Sequence, residues 1–316
     1  MEQRELGSSG IKTAPLVFGG NVFGWTVKGN DSALILDAFL DAGFNTVDTA
    51  DVYSKWVPGN QGGESETEIG KWLKQSGKRD KVIIATKVGG ELAADKKGLK
   101  KDYIIKAAED SLKRLQTDYI DLYQSHFDDA ETPVEESLRA FDQLIKDGKI
   151  RAIGASNFSV ERLHESLKVS REKGLAAYQT LQPEYNLFDR EKYETTIEPF
   201  IREQNLGIIS YFSLASGFLS GKYRSEADLE GTNRGAMVKK YLSDRGTRIL
   251  KALDEVSTQY KTKPAAVALA WLIARPSVTA PIVSATSLNQ LQELTQAATL
   301  QLNNEAIEVL TAASAY

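Results

Sequence analysis

The 316 residues include no cysteine, two methionines and two histidines. The first absence excludes disulfides and thiolate chemistry. The scarcity of histidine argues against a site built on several imidazoles, so no metal is expected. No stretch approaches the ~18 apolar residues of a membrane span. The opening MEQRELGSSG lacks the apolar core of a secretory signal, and with the missing cysteines this fits a cytoplasmic protein. Neither sign of charge dominates: a net charge of −4 gives no whole-chain attraction to nucleic acid or to an anionic membrane. Also missing is a G-x-G-x-x-G fingerprint. Gly19-Gly20 followed by Gly24 is the nearest cluster, and its spacing is wrong for a Rossmann turn.

What is present is alternation. After a short hairpin turning at Gly7 to Gly10, apolar, β-branched runs occur at 15–18, 46–48, 82–86, 120–124, 150–154, 178–182, 207–211 and 280–283. Amphipathic segments separate them, at 32–42, 64–75, 103–115, 159–173, 190–203, 243–260, 264–274, 288–298 and 304–313, with a further helix between Thr132-Pro133 and Gly148. Asp31 and Thr132 stand where N-caps are expected, and Glu135 and Glu136 favour a helix start. Strands separated by helices imply a parallel sheet. Eight such units fit a single (β/α)8 TIM barrel spanning residues 1–316 with an N-terminal hairpin, and a doubly wound open sheet is the alternative. Residues 223–241 form the longest irregular stretch, rich in charge and glycine, suited to a loop over the site.

Barrel sites lie at the carboxyl ends of the strands. The polar residues there are Asp48 with Tyr53 just beyond, Lys87, His126, Ser156-Asn157, Gln182 and Tyr211. A free phenol with a pKa near 10 is a poor acid at neutral pH, and an adjacent ammonium favours phenolate. Lys87, held by Asp48, suits that task, and His126 suits a hydrogen bond that orients a carbonyl. The matching reaction is hydride transfer, which needs a nicotinamide or flavin. Singly, Asp48-Thr49 reads equally well as a turn cap, Lys87 as a solvated strand end and Tyr53 as a packed aromatic. The residues alone leave both readings open. His164, inside a helix among Glu161, Arg162 and Glu165, reads as a surface residue.

Several motifs occur in order: R-x-L-G-x-S-G-I-K at the start, GFNTVDTA ending in Tyr53, ATK at 85–87, DLYQSH at 121–126, IGASNF at 153–158, QPEYN at 182–186 and GFLSGKY at 217–223. Together they resemble the aldo-keto reductase family over nearly the whole chain. The resemblance implies a (β/α)8 barrel with an extended nicotinamide cofactor. Tyr53 would be the general acid, Lys87 would lower its pKa, Asp48 would pair with Lys87 and His126 would help polarise the carbonyl. Ser156, Asn157 and Gln182 would bind the nicotinamide carboxamide, and Tyr211 would stack on the ring. Leu214, Ser216 and Lys222 would clasp the pyrophosphate. Ser284, Thr286, Ser287, Gln290 and Glu293 would meet the adenosine end.

Several positions depart from the family pattern. Ser284 and Thr286 are neutral where a basic residue often meets a 2′-phosphate, and Leu294 replaces a common asparagine. A helix start near Leu288 still favours an anion, so NADP(H) is expected, with NAD(H) as the alternative. Phe212-Ser213 also replaces a commoner serine/tyrosine-proline pair. The substrate is a small carbonyl or alcohol. Val22, Phe23, Trp25, Trp56 and Phe127 are candidate pocket walls, with residues 54–63 shaping specificity. A cofactor-binding regulatory subunit with little turnover, and a hydrolase using Glu64 and Asp128, are the other classes. Nothing in the sequence speaks to oligomeric state.

Overall fold

The computed structural model describes residues 1–232 and 234–316. Two short strands, β1 (Arg4–Glu5) and β2 (Lys12–Thr13), pair antiparallel. Eight more follow: β3 (Val17–Gly19), β4 (Thr46–Asp48), β5 (Ile83–Val88), β6 (Ile120–Ser125), β7 (Ile150–Ser156), β8 (Tyr178–Gln182), β9 (Gly207–Ser210) and β10 (Ala280–Val283). They close into a barrel in chain order, with β10 pairing β9 on one side and β3 on the other, every pair parallel. The closure replaces the open-sheet alternative.

Each strand presents alternate residues to the two sides. Inward, Val17, Ile83, Ala85, Leu122, Ala152, Ile209 and Ala280 form one apolar layer. Leu6 and Ile11 from the hairpin join it from below and plug the barrel. Gly7 makes this seat possible: it has φ +61, and a Cβ there would strike the Gln179 carbonyl on β8. Outward residues such as Val47, Ile84, Tyr123, Ile153 and Leu181 meet the helices in the main core. One step above the apolar layer, the same inward alternation reaches Asp48, Lys87, Gln124 and Gln182, all buried. The packed interior thus ends in a polar floor at the carboxyl end.

The helices are α1 (Asn30–Asp41), α2 (Glu64–Ser76), α3 (Lys101–Leu115), α4 (Val134–Lys146), α5 (Val160–Lys173), α6 (Glu198–Gln204), α7 (Gly235–Val238), α8 (Asp244–Gln259), α9 (Pro264–Ile273), α10 (Leu288–Thr295) and α11 (Asn304–Ala313). On α4, Val134, Leu138, Phe141 and Leu144 bury one stripe at helical spacing. None is long and apolar enough to cross a membrane, among the described residues.

Several boundaries differ from those expected. Gly29, not Asp31, precedes α1, and Asp31 lies in its first turn. Pro133 occupies the cap of α4, because the Thr132 hydroxyl donates to Asp129 Oδ2 at 2.7 Å. A π-helical turn, Tyr193–Ile197, precedes α6. The stretch 223–241 is less irregular than expected. It holds short turns at Glu226–Leu229 and Lys239–Tyr241 around α7, while Asn233 lies outside the described residues. Tyr241 is buried, stacks on Phe218 and donates to Asp189 at 2.9 Å.

Candidate active site

The ladder between β4 and β5 continues past the end of β4. Thr49 N donates to Ala85 O at 2.8 Å and Asp51 N to Lys87 O at 3.2 Å. This carries the chain across the barrel mouth and sets Tyr53 over Lys87. Ser54, with φ +71, fixes the turn by donating its hydroxyl to Phe23 O at 2.6 Å. Asn60 ties the following loop down by donating to Gly24 O and Ser54 O.

Lys87 is fully buried and directs its ammonium at three acceptors: Asp48 Oδ2 at 2.6 Å, Thr49 O at 2.8 Å and Tyr53 OH at 2.9 Å. An ammonium has three protons, so this set satisfies it. Burial works against the charge of Lys87, but Asp48 and Tyr53 together hold its pKa above the ordinary value. Burial raises the Tyr53 phenol above 10, Lys87 opposes that, and Asp48 adds to it. Lys87 therefore acts in the expected direction without producing a net lowering, since burial outweighs it. The phenol keeps its proton until an acceptor arrives.

His126 donates its backbone N–H to Val88 O at 2.8 Å, and its ring meets Tyr53 edge-on with centroids 5.9 Å apart. No hydrogen bond joins the two side chains among the described residues. Nδ1 is buried without a partner. Burial, helped by the charge of Lys87, pushes the imidazole well below its usual range, so it is neutral at pH 7.

The residues expected at a nicotinamide form one chain of hydrogen bonds with this group. Tyr211 OH donates to Asn157 Oδ1 at 2.8 Å. Asn157 Nδ2 donates to Ser156 Oγ at 3.1 Å and to His126 O at 3.0 Å. Ser156 Oγ donates to Gln182 O at 2.9 Å, and Gln182 Nε2 to Asp48 Oδ1 at 2.9 Å. Asn157 has φ +57, an uncommon conformation that turns it toward the mouth.

Farther along the rim, Ala215, Ser216 and Gly217 take left-handed conformations in succession (φ +48, +57, +96). Such a run beside Leu214 directs backbone groups to one side, and consecutive strained residues concentrate at ligand sites. Lys222 is exposed and folds back beside Gly217. At the end of β10, Ser284 Oγ lies 2.7 Å from Gly19 O and 2.6 Å from Asn21 Oδ1. Thr286 donates N–H and hydroxyl to Gln290 Oε1, both at 2.9 Å, and Ser287 caps α10. Glu293 lies one turn on, exposed.

Trp56 packs against the phenol, with Trp25 beyond it and Phe127 on the far side of His126. Trp56 meets Tyr53 at 6.0 Å and Trp25 at 5.8 Å, and Phe127 stacks on His126 at 4.6 Å. Trp56 is 50% and Phe127 47% exposed, so both are open to a ligand. Phe23 and Val22 are not. Phe23 is fully buried and stacks on Phe18 at 5.3 Å, and Val22 is fully buried in the same core. The tight turn Gly20–Val22 and the Phe23 that follows it are packed onto the core beside Phe18 and not toward the mouth. Glu64 and Asp128 do not form a hydrolytic pair: Glu64 accepts from the N–H groups of Gln61 and Gly62, and Asp128 pairs with Arg162 at 2.8 Å.

Sequence reasoning missed three participants. Gln124 donates to Asp48 Oδ1 at 3.2 Å, the Thr49 carbonyl accepts from the Lys87 ammonium, and Arg234 lies over Trp25 at 6.0 Å. Gln124 carried a signal, being a polar residue at an inward position of a strand buried on both faces. The Thr49 carbonyl carried none.

The profile of the Aldo/keto reductase family matches residues 15–315. The chain belongs to the aldo/keto reductase family. It is 34% identical to an uncharacterized oxidoreductase of Bacillus subtilis, YrpG, over 98% of this chain and 95% of that protein. It is 33% identical to the aldo-keto reductase YhdN of the same organism, over 96% and 91%. A probable voltage-gated potassium channel subunit beta of Oryza sativa is 33% identical over 93% and 90%. Membership in the aldo/keto reductase family makes an oxidoreductase acting on a small molecule the coarse description of this barrel.

Proposed function

We propose that the protein is an NADP(H)-dependent aldo-keto reductase that interconverts an aldehyde or ketone and its alcohol in the cytoplasm, with Tyr53 as the acid and base. The observation that carries this reading is the Lys87 ammonium set between Asp48 Oδ2 at 2.6 Å and Tyr53 OH at 2.9 Å, fully buried at the mouth of the barrel. The surrounding groups fit a nicotinamide: carboxamide-binding side chains at Ser156, Asn157 and Gln182, and a half-buried aromatic face at Tyr211. Leu214, Ser216 and Lys222 line the left-handed run that would hold the pyrophosphate. Ser284, Thr286, Ser287 and Gln290, with Glu293 beyond, gather at the start of α10, where the helix dipole favours a phosphate. The chemistry such a cofactor brings when bound is hydride exchange at the carbonyl carbon.

The chain's own residues supply the rest. Tyr53 donates its proton to the carbonyl oxygen as that oxygen becomes negative. Lys87 stabilises the phenolate left behind, and Asp48 with the Thr49 carbonyl keeps Lys87 aimed at it. Neutral His126 offers a ring nitrogen without bringing a second positive charge. Trp25, Trp56 and Phe127 wall an apolar entry that limits water. In alcohol oxidation the same groups act in reverse.

The likeness to potassium channel β subunits favours a second reading, a cofactor-binding regulatory subunit with little turnover. One experiment separates the two. Carbonyl-dependent loss of absorbance at 340 nm is measured over a panel of substrates with NADPH and NADH. Turnover that falls by about 10²–10⁴-fold in Tyr53→Phe, with cofactor binding retained, supports the enzyme. Tight binding without turnover across the panel supports the regulatory subunit, and full activity in Tyr53→Phe removes Tyr53 from the reaction.

A further inference from the structure

The phenol of Tyr53 stands in a row of rings. Trp25 meets Trp56 at right angles with centroids 5.8 Å apart, and Trp56 meets Tyr53 at 6.0 Å. Tyr53 meets His126 at 5.9 Å, and His126 stacks on Phe127 at 4.6 Å. The two groups proposed to handle the carbonyl oxygen are the inner members of this row. The rings next to them, Trp56 and Phe127, are both exposed. The backbone under Trp56 is pinned. Val57 N donates to Ser54 O at 3.1 Å, the Ser54 hydroxyl donates to Phe23 O, and Asn60 Nδ2 donates to Ser54 O and Gly24 O. An exposed indole on a braced turn is a preformed binding surface.

The polar side chains around the row are spent on the protein itself. Lys55 Nζ donates to Glu91 O at 2.6 Å, and Glu64 accepts from the N–H groups of Gln61 and Gly62. Beyond Phe127, Asp128 pairs with Arg162, which also donates to the carbonyls of Asp129 and Thr132. Arg234 turns its guanidinium onto the Trp25 ring. Within residues 54–64 the exposed Gln61 has the one side-chain amide without a bond among the described residues. A polyhydroxylated carbonyl gives up water at each hydroxyl that it buries and needs a partner for each. This surface offers few. A flat apolar ring needs none and gains from the faces and edges of aromatic neighbours.

We infer that the substrates of this site carry their carbonyl on an aromatic ring, and that Trp56 is the residue that selects them. This rests on the proposed carbonyl reduction at Tyr53. With the oxygen at the Tyr53 hydroxyl, the ring of the substrate lies against the Trp56 indole, and Phe127 borders the site beyond His126. Hydride passes from the reduced nicotinamide to the carbonyl carbon and the Tyr53 proton to the oxygen, so an aryl aldehyde leaves as the benzylic alcohol.

The test compares kcat/KM for benzaldehyde, cyclohexanecarbaldehyde and glyceraldehyde, with NADPH and with NADH, in the parent, Trp56→Leu and Trp56→Phe. Ratios between substrates, compared across proteins, cancel the intrinsic reactivity of each aldehyde. The parent is expected to favour benzaldehyde over glyceraldehyde by about tenfold or more. Trp56→Leu is expected to lower the ratio of benzaldehyde to cyclohexanecarbaldehyde about three- to tenfold, mainly through KM, which is the range of one aromatic pair. A merely structural role for Trp56 would lower all three substrates together and leave the ratio in place. Trp56→Phe restores a ring and is expected to keep most of the preference. Trp56→Met serves if Trp56→Leu does not fold by circular dichroism. A ratio in Trp56→Leu within twofold of the parent, or a loss in Trp56→Phe as large as in Trp56→Leu, overturns the role of Trp56. A parent that turns over glyceraldehyde as well as benzaldehyde overturns the aryl preference and leaves the reaction standing. No turnover of any of the three with either cofactor removes the proposed reaction itself.

Discussion

The two sides of the turn after β4 hold carboxyl groups three residues apart, equally buried and oppositely furnished. On the mouth side, Asp48 accepts from the Lys87 ammonium and from two carboxamides. On the side toward α2 and α3, neither oxygen of Asp51 has a partner among the described residues, and the hydroxyls of Tyr103 and Tyr123 near it also lack one. Glu66, the nearest carboxylate, is taken up by Arg114 and Thr86, each at 2.6 Å. Burial, reinforced by the charge of Glu66, holds the Asp51 carboxyl well above its usual range, against the opposing pull of Arg114, the Val52 N–H and Lys87. Burial beside a like charge thus raises a carboxyl's pKa, whereas burial among donors lets a carboxyl group anchor an ammonium. The mouth side aims its donors at its buried carboxyl, whereas the rear side gives its donors to Glu66 and not to Asp51.

The largest effect expected from this contrast comes from breaking the mouth side. Lys87→Met should destabilise the fold by about 3–5 kcal/mol, because Asp48 is left buried without its counter-charge. Urea denaturation reads this directly. Adding Asp48→Asn to Lys87→Met should recover a large part of the loss. A Lys87→Met variant within about 1 kcal/mol of the parent would mean that the ion pair does not govern the stability of the polar floor.

The same contrast shows what the sequence could and could not reveal. Apolar, β-branched runs and helix spacing located all eight barrel strands to within a few residues, because parallel strands with both faces buried leave a strong apolar signal. Asp48, Lys87 and His126 stood out as candidates because they sit at strand ends, and the resemblance to a known family, more than their position, gave them roles. Gln124 was passed over because attention fell on ends and not on the inward alternation one step below. Phe23 misled because an aromatic in a loop reads as a pocket wall until tertiary packing turns it onto Phe18. Asp51 was invisible as a special group. Its two missing partners are a property of α2 and α3 packing over it, which no local pattern encodes.

A smaller effect sharpens the rear side. A carboxyl whose pKa is raised in the folded state binds a proton there that the unfolded chain has released, so stability falls as pH rises above about 4. Asp51→Asn removes that dependence. The variant should match the parent near pH 4 and exceed it by about 1–2 kcal/mol at pH 8, the size of a modest protonation mismatch. Equal stabilities at pH 8 would indicate that Asp51 is ionised in the folded protein and that a donor reaches it.

The mouth side contains a titratable group without a partner at Nδ1 among the described residues, and it should show the opposite sign. His126 Nδ1 is buried without a partner, and its pKa lies well below 6.5. Below about pH 6.5 the unfolded chain takes up a proton that the folded imidazole refuses, so stability falls as pH falls, by up to about 1.4 kcal/mol per pH unit for one group. His126→Phe keeps the ring against Phe127 and Tyr53 and cannot titrate. Its stability between pH 6.5 and 5.5 should therefore decline less steeply than that of the parent, by at most that amount. Parallel curves would mean that His126 takes its proton in the folded state and meets the substrate oxygen as a cation. Asp51 on the turn after β4 and His126 at the end of β6 thus give the stability opposite slopes with pH, the first lowering it as pH rises above about 4 and the second as pH falls below about 6.5.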